Sequence, residues 1–256
     1  MGSFAASSKF LESLRLLEIT RVLAEIRRWK PGPATLLEIG AGSGWQSRQL
    51  AEAGHRVEAI DVPDSRYAGD RVWPIQDYDG QSIPFPDRRF DVVFSSNVLE
   101  HIPHVERFQK EIQRVLAPDG IALHLVPGAT WRFWTNVTHF LIPLRRWFTG
   151  GRAPGPEASN PRLPPRHGET GTALTELYYF SRLRWFRLFR RTGWDIVSRS
   201  TNGIFYTGNA LRGAKLSLRR RQRLSRILGS ACLVYVLRKH EPRPASRPRP
   251  ESGTPP

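Results

Sequence analysis

Leu36-Leu37-Glu38-Ile39-Gly40-Ala41-Gly42-Ser43-Gly44 is the stretch on which the fold turns. The apolar run from Ala34 to Ile39 reads as a buried strand, and residues 45–53 read as a helix closed by Gly54. Between them lie three alternate glycines. Glycine is needed where a backbone turns through positive φ or must approach a ligand without a Cβ in the way. The helix that follows presents unpaired N–H groups near the loop. Working outward, Arg56–Ile60 is a second strand stopping at Asp61, and Arg71–Ile75 is a candidate third. Phe90–Ser95 is a buried strand, Val105–Leu116 an amphipathic helix, and Ile121–Val126 a further strand stopped by Pro127-Gly128. Strands alternating with helices in short units predict an α/β protein with a parallel sheet and right-handed crossovers.

The loop departs from the dinucleotide pattern G-x-G-x-x-G, because Trp45 stands where close helix–strand packing wants the third glycine. Glu38 also sits poorly beside a pyrophosphate but well beside a cationic amino group. Asp61 follows the second strand, where a carboxylate can accept from both ribose hydroxyls. The pattern asks for a nucleoside that is positively charged rather than phosphorylated. S-adenosylmethionine meets both requirements.

Three further runs extend the pattern. Tyr78-Asp79-Gly80-Gln81-Ser82-Ile83-Pro84-Phe85-Pro86-Asp87 leads through Phe90-Asp91-Val92-Val93 to Ser96-Asn97-Val98-Leu99-Glu100-His101-Ile102, and Glu111–Gly120 precedes the fifth strand. With the glycine loop, these residues resemble the class I S-adenosylmethionine-dependent methyltransferases acting on small molecules and lipids. The resemblance covers residues 34–128. It implies a Rossmann-like seven-stranded sheet with an inserted helical cap.

The same resemblance implies roles. Glu38 would hold the methionine end through its amino group or a water, Gly40 and Gly42 would line the cofactor, and Gly44 would let the loop turn. Asp61 would bind the ribose and Val62 would lie against adenine. Asp79 would accept from the adenine amino group, with Gly80 giving a backbone donor. Ser95, Ser96 and Asn97 would border the methionine. Asp119, where many relatives have glycine, is a turn variation. For the acceptor's proton, His101 is the first candidate base and His167 the second; His139 and His124 follow, the latter expected to face the sheet core. No metal is expected.

Around this core, residues 1–33 are expected to form an N-terminal helix ended by Pro31-Gly32-Pro33. Residues 34–128 form the cofactor-binding core. Residues 129–192 read as an aromatic and basic insertion or lid, with a mobile loop at 150–168 and a helical pattern resuming over Glu176–Arg191. Residues 193–240 return strands at 194–200 and 231–237, closing the sheet as an antiparallel last pair, with a basic helix at 210–228 between them, and 241–256 form a disordered tail. The net charge of +16 lies almost wholly in residues 129–256. Such a surface fits an anionic ligand. This half more faintly resembles bacterial methyltransferases encoded with polysaccharide or glycolipid enzymes, which implies in-line O-methylation of a small-molecule, saccharide or lipid-linked acceptor, phosphorylated or not. Thr138–Phe148 mixes Phe140, Leu141, Ile142, Leu144, Trp147 and Phe148 with Arg145 and Arg146, in the manner of a helix lying on an anionic membrane.

Composition excludes other classes. The single cysteine, Cys232, permits neither an internal disulfide nor a paired-cysteine zinc site. No apolar run is long enough for a transmembrane helix, and the acidic residues among the first leucines fit no secretory signal. The expected address is the cytoplasm, with peripheral contact on the inner face of a membrane. Two rivals remain: a nucleic-acid methyltransferase supported by the basic half, and a non-catalytic scaffold that would need neither Glu38, Asp61 nor Asp79.

Overall fold

The computed structural model describes residues 2–148, 164–208 and 216–240. The chain opens with a long helix, α1 (Gly2–Trp29), then β1 (Thr35–Ile39), α2 (Trp45–Glu52) and β2 (Arg56–Asp61). A short β3 (Gln76–Asp77) precedes β4 (Phe90–Ser96), α3 (Val105–Val115) and β5 (Leu116–Pro127). Three helices follow, α4 (Ala129–Phe148), α5 (Glu176–Tyr179) and α6 (Arg182–Arg191), and then β6 (Trp194–Thr201), α7 (Leu218–Leu228) and β7 (Cys232–Lys239). The sheet order is β3-β2-β1-β4-β5-β7-β6, with β7 antiparallel to both neighbours and the other pairs parallel.

Both faces of the sheet are covered, which is why β1 and β4 read as continuous apolar runs rather than alternating ones. Successive residues serve opposite faces. Leu37 and Val93 pack with Phe108 and Ile112 of α3 and Trp185, Leu188 and Phe189 of α6. Leu36 and Val92 pack with Ile19, Val22 and Ile26 of α1 and Leu50 of α2. The three α1 residues recur at three- and four-residue spacing and so form one stripe. A third apolar group, including Leu14, Trp131, Phe180, Tyr206 and Cys232, ties α1 to the cap.

Several boundaries differ from the sequence reading. Arg71–Ile75 does not pair; Gln76 and Asp77 do, against Ile60 and Asp61. Leu116 leaves its helix to pair with Phe90, and after a register shift the ladder resumes at Ile121 opposite Val92. The pattern over 176–191 breaks into two helices because the Ser181 hydroxyl caps α6, accepting from the Arg184 N–H at 3.2 Å. Within the expected insertion, α6 packs Trp185, Leu188 and Phe189 into the core against the sheet. Of the expected basic helix at 210–228, Leu218–Leu228 is helical, and 209–215 lie outside the described residues. So do 149–163, most of the expected mobile loop, and the tail at 241–256. Among the described residues no helix is long and apolar enough to cross a membrane.

Candidate active site

The carboxyl ends of β1, β2 and β4 converge where open α/β sheets bind ligands. Gly40, at φ 69°, follows β1; its N–H and that of Ala41 both donate to the Ile60 carbonyl, at 2.9 and 3.1 Å. A Cβ here would collide with the Val98 side chain. The turn therefore requires glycine twice over, for its dihedral and for its clearance. Asp61 holds the loop from the other side. Its Oδ2 accepts the Gly42 N–H at 2.7 Å and its Oδ1 accepts the Val62 N–H at 2.8 Å. Asp79 lies on the same side of the sheet, its Oδ1 accepting the N–H groups of Gln81 and Ser82 at 2.8 and 2.7 Å. Those bonds hold its carboxyl below the usual carboxylate range.

Glu38 is buried, and Ser47 in the first turn of α2 donates its hydroxyl to Glu38 Oε2. Burial pushes its carboxyl up to about 8 against the bonds from Ser47. Two residues expected beside the methionine part company at the end of β4. Ser95 turns into the sheet, its Oγ 2.8 Å from His124 Nδ1, and is fully buried. Asn97 stays at the rim, in the left-handed region at φ 55° that Asn tolerates, and its Nδ2 donates to Ser96 Oγ at 3.2 Å.

Beyond Asn97, a 3₁₀ turn at Leu99–His101 brings Glu100 and His101 to the rim. Residues 165–169 lie across it: the Glu169 N–H donates to the Glu100 carbonyl at 2.8 Å, and a Cβ on Gly168 would come within 2.9 Å of that oxygen. The rings of His101 and His167 meet edge to face with centroids 5.0 Å apart, and Trp131 lies 4.6 Å from His167. Glu176, fully buried, holds this strap. Its Oε1 accepts the N–H groups of His167 and Gly168 at 2.8 and 2.7 Å, while Oε2 pairs with buried Arg132 at 2.8 Å. Desolvation lowers the pKa of both imidazoles, His167 to about 4 with added repulsion from His101.

His124 faces the sheet core as expected; burial drives it down to about 3 and keeps it from titrating near neutrality. Sequence reading gave Glu176 and Arg132 no role, because nothing local marks them. A lone Glu opening a short helix looks solvated until the strap folds over it.

Glu100 is buried, neither carboxyl oxygen has a hydrogen bond, and burial pushes it up to about 8. Its Oε1 is 3.9 Å from His101 Nε2. The ligand-type atoms of Glu100, His101 and His167 lie within 4.8 Å of one another. A raised carboxyl binds its proton more tightly folded than unfolded. Its contribution to stability is present below the ordinary 4.5 and lost as pH rises through about 8. Melting curves taken between about pH 5 and about pH 9 should therefore fall more steeply for the native protein than for Glu100→Gln. Glu38 titrates in both proteins, so the difference isolates Glu100; parallel curves would contradict the assignment.

The sheet order, with its antiparallel seventh strand, and the carboxylate-held glycine loop place the chain in the class I methyltransferases, which use S-adenosylmethionine. More narrowly, the methyltransferase-domain family matches residues 11–199, and the chain belongs to that family. It is 37% identical over 98 residues to an uncharacterized methyltransferase of Mycobacterium sp. (strain JLS), a match covering 36% of this chain and 38% of that one. It is 35% identical over 108 residues to the ubiquinone biosynthesis O-methyltransferase of Paramagnetospirillum magneticum, covering 39% of this chain and 43% of that one. The matches thus span less than half of either relative. A S-adenosylmethionine-dependent methyltransferase from Aquifex aeolicus shares the fold with a TM-score of 0.51 at 16% identity, over 90% of this chain and 97% of that one.

Proposed function

We propose that the protein methylates an oxygen of a small or lipid-linked anionic acceptor, with His101 and His167 receiving the acceptor's proton. S-adenosylmethionine supplies a methyl group on a sulfonium whose positive charge disappears on transfer. In this reading Asp61 takes the ribose hydroxyls with the lone pairs its two loop bonds leave free, and Val62 lies against adenine. Asp79 and Gly80 meet the adenine edge, while Gly40 and Gly42 let the main chain approach and Gly44 opens α2. Glu38, Ser96 and Asn97 border the methionine. Ser95 is left out, because its hydroxyl is committed to His124.

The observation that carries the proton role is the pair of imidazoles at 5.0 Å, both with lowered pKa, beside a carboxyl pushed up to about 8. Neutral imidazole is the form that accepts a proton. An acceptor hydroxyl held there loses its proton to the chain as its oxygen gains the methyl group. The O-methyltransferase among the relatives supports oxygen as the target. The arginine-rich second half favours an anionic acceptor.

The test is transfer of labelled methyl to a panel of hydroxybenzoates, prenylated phenols and lipid-linked saccharides. His101→Ala should lower turnover by roughly 10²–10⁴ while S-adenosylhomocysteine binding stays unchanged. Activity should survive EDTA and persist on the acid side of 6.5, the ordinary imidazole value, because the pair titrates lower. Unchanged turnover, lost cofactor binding or abolition by chelator each overturns the proton role.

Phe140 and Leu141 are exposed on α4, as are Leu183 and Phe186 on α6 among its arginines, which supports peripheral contact with an anionic membrane. Flotation with anionic liposomes should be salt-sensitive. Binding of tRNA at physiological salt, without flotation, would favour the nucleic-acid reading instead.

A further inference from the structure

Between β2 and β3 the chain turns back onto the glycine loop. The Val72 N–H donates to the Ser43 carbonyl at 2.8 Å, and a Cβ on Gly42 would come within 3.3 Å of the Tyr67 ring. Tyr67 is 47% exposed, so its ring covers the loop from the solvent side. Its neighbour Arg66 is also exposed and holds its guanidinium carbon 5.8 Å from the centre of that ring. A guanidinium held over a ring keeps its in-plane N–H groups for an oxyanion. Among the described residues Arg66 makes no ion pair. Other cations of the rim are committed: Arg132 to Glu176, and Arg166 to Glu169 at 3.4 Å. The charge of Arg66 nevertheless adds to desolvation in lowering both His101 and His167. The β2–β3 loop therefore faces the imidazole pair across the mouth of the cleft.

We propose that Arg66 binds the anionic group of the methyl acceptor and so selects which hydroxyl compounds reach His101 and His167. This rests on the anionic acceptor proposed for the site and names the residue that recognises it. Burial pushes the Glu100 carboxyl up to about 8, so that group is uncharged near neutrality, and the imidazoles are neutral as well. The mouth is thus polarised, with a free guanidinium on the β2 side and uncharged proton acceptors on the strap side. A compound with an acidic group at one end and a hydroxyl at the other fits that polarity. The planar fork takes two oxygens of a carboxylate or phosphate in parallel bonds. Seating an anion there also offsets the charge that depresses the imidazoles. The base then strengthens only when the acceptor is in place.

Histidine NMR on the complex with S-adenosylhomocysteine tests this, with three probes: para-hydroxybenzoate, its neutral analogue para-hydroxybenzyl alcohol, and inorganic phosphate. In the native protein both anions should shift the His101 and His167 signals and raise the pKa of each. Arg66→Gln should raise those pKa values with no anion present. The anions should then bind roughly ten- to a hundredfold more weakly, while the alcohol and S-adenosylhomocysteine bind as before. Arg66→Lys, which keeps the charge but loses the fork, should fall between. Because Arg66 is exposed, neither variant threatens the fold. Anions that act equally on the native and Arg66→Gln proteins have their seat elsewhere; that overturns the proposal and leaves the anionic acceptor standing. Anions without effect on the native protein remove both. Equal weakening of anions and alcohol, or loss of S-adenosylhomocysteine, would reduce Arg66 to shaping the loop and overturn the proposal too.

Discussion

Arg132→Ala should lower the stability of the protein by about 3–5 kcal/mol, the cost of leaving a buried charge without its partner. Arg132 and Glu176 are 2% and 0% exposed and 2.8 Å apart. The guanidinium also donates to the carbonyls of Pro165 at 2.8 Å and Ala173 at 3.3 Å. Removing it leaves an enclosed carboxylate whose other oxygen still bonds the His167 and Gly168 N–H groups. The strap then has to open to water or protonate the acid. For a chain of this length the melting temperature should fall by roughly 10 °C. Because the strap carries His167, the variant should also expose that imidazole, and its pKa should rise towards the ordinary value from about 4. Calorimetric melting and histidine NMR titration measure the two effects. A loss below about 1 kcal/mol would mean that the pair is solvated in solution and does not latch the strap.

The second large effect is on cofactor affinity. Asp61→Ala should weaken S-adenosylhomocysteine by about a hundredfold or more, since the change removes a charged acceptor and frees the loop it holds. Asp61→Asn should be nearly as damaging, for a geometric reason. Both carboxylate oxygens already accept main-chain N–H groups, from Gly42 and Val62. An amide can satisfy only one of them and must aim its NH₂ at the other donor. Titration calorimetry of the two variants decides the matter. Affinities within about threefold of the native protein would show that the loop keeps its shape without this carboxylate.

Much of the fold was legible because its signals are local. β1 and β4 are apolar in nearly unbroken runs, the glycine loop needs positive φ at alternate positions, and Asp61 closes its own strand. The antiparallel closing pair was also readable, as two apolar segments near the C-terminus. The misread boundaries fail for equally physical reasons. Arg71–Ile75 has strand-like residues, but the loop around it leaves pairing only to Gln76 and Asp77. Glu176–Arg191 has continuous helical spacing, but the Ser181 hydroxyl offers α6 a cap and starts a new helix there. Ser95 sits in the right motif, yet the pleat of β4 aims its hydroxyl into the sheet at His124.

The sequence alone determined the class of sheet, the glycine turn and the carboxylate at the tip of β2, since each depends on dihedral preferences and periodicities within a few neighbouring residues. Tertiary structure alone decided that His167 meets His101, that Arg132 and Glu176 pair beneath them, and that Glu18 gathers Asn202 and Tyr206 across more than 180 positions of chain. Such meetings have no local signature. They exist only once the sheet has closed and its helices are packed, because burial is what makes these charges seek one another.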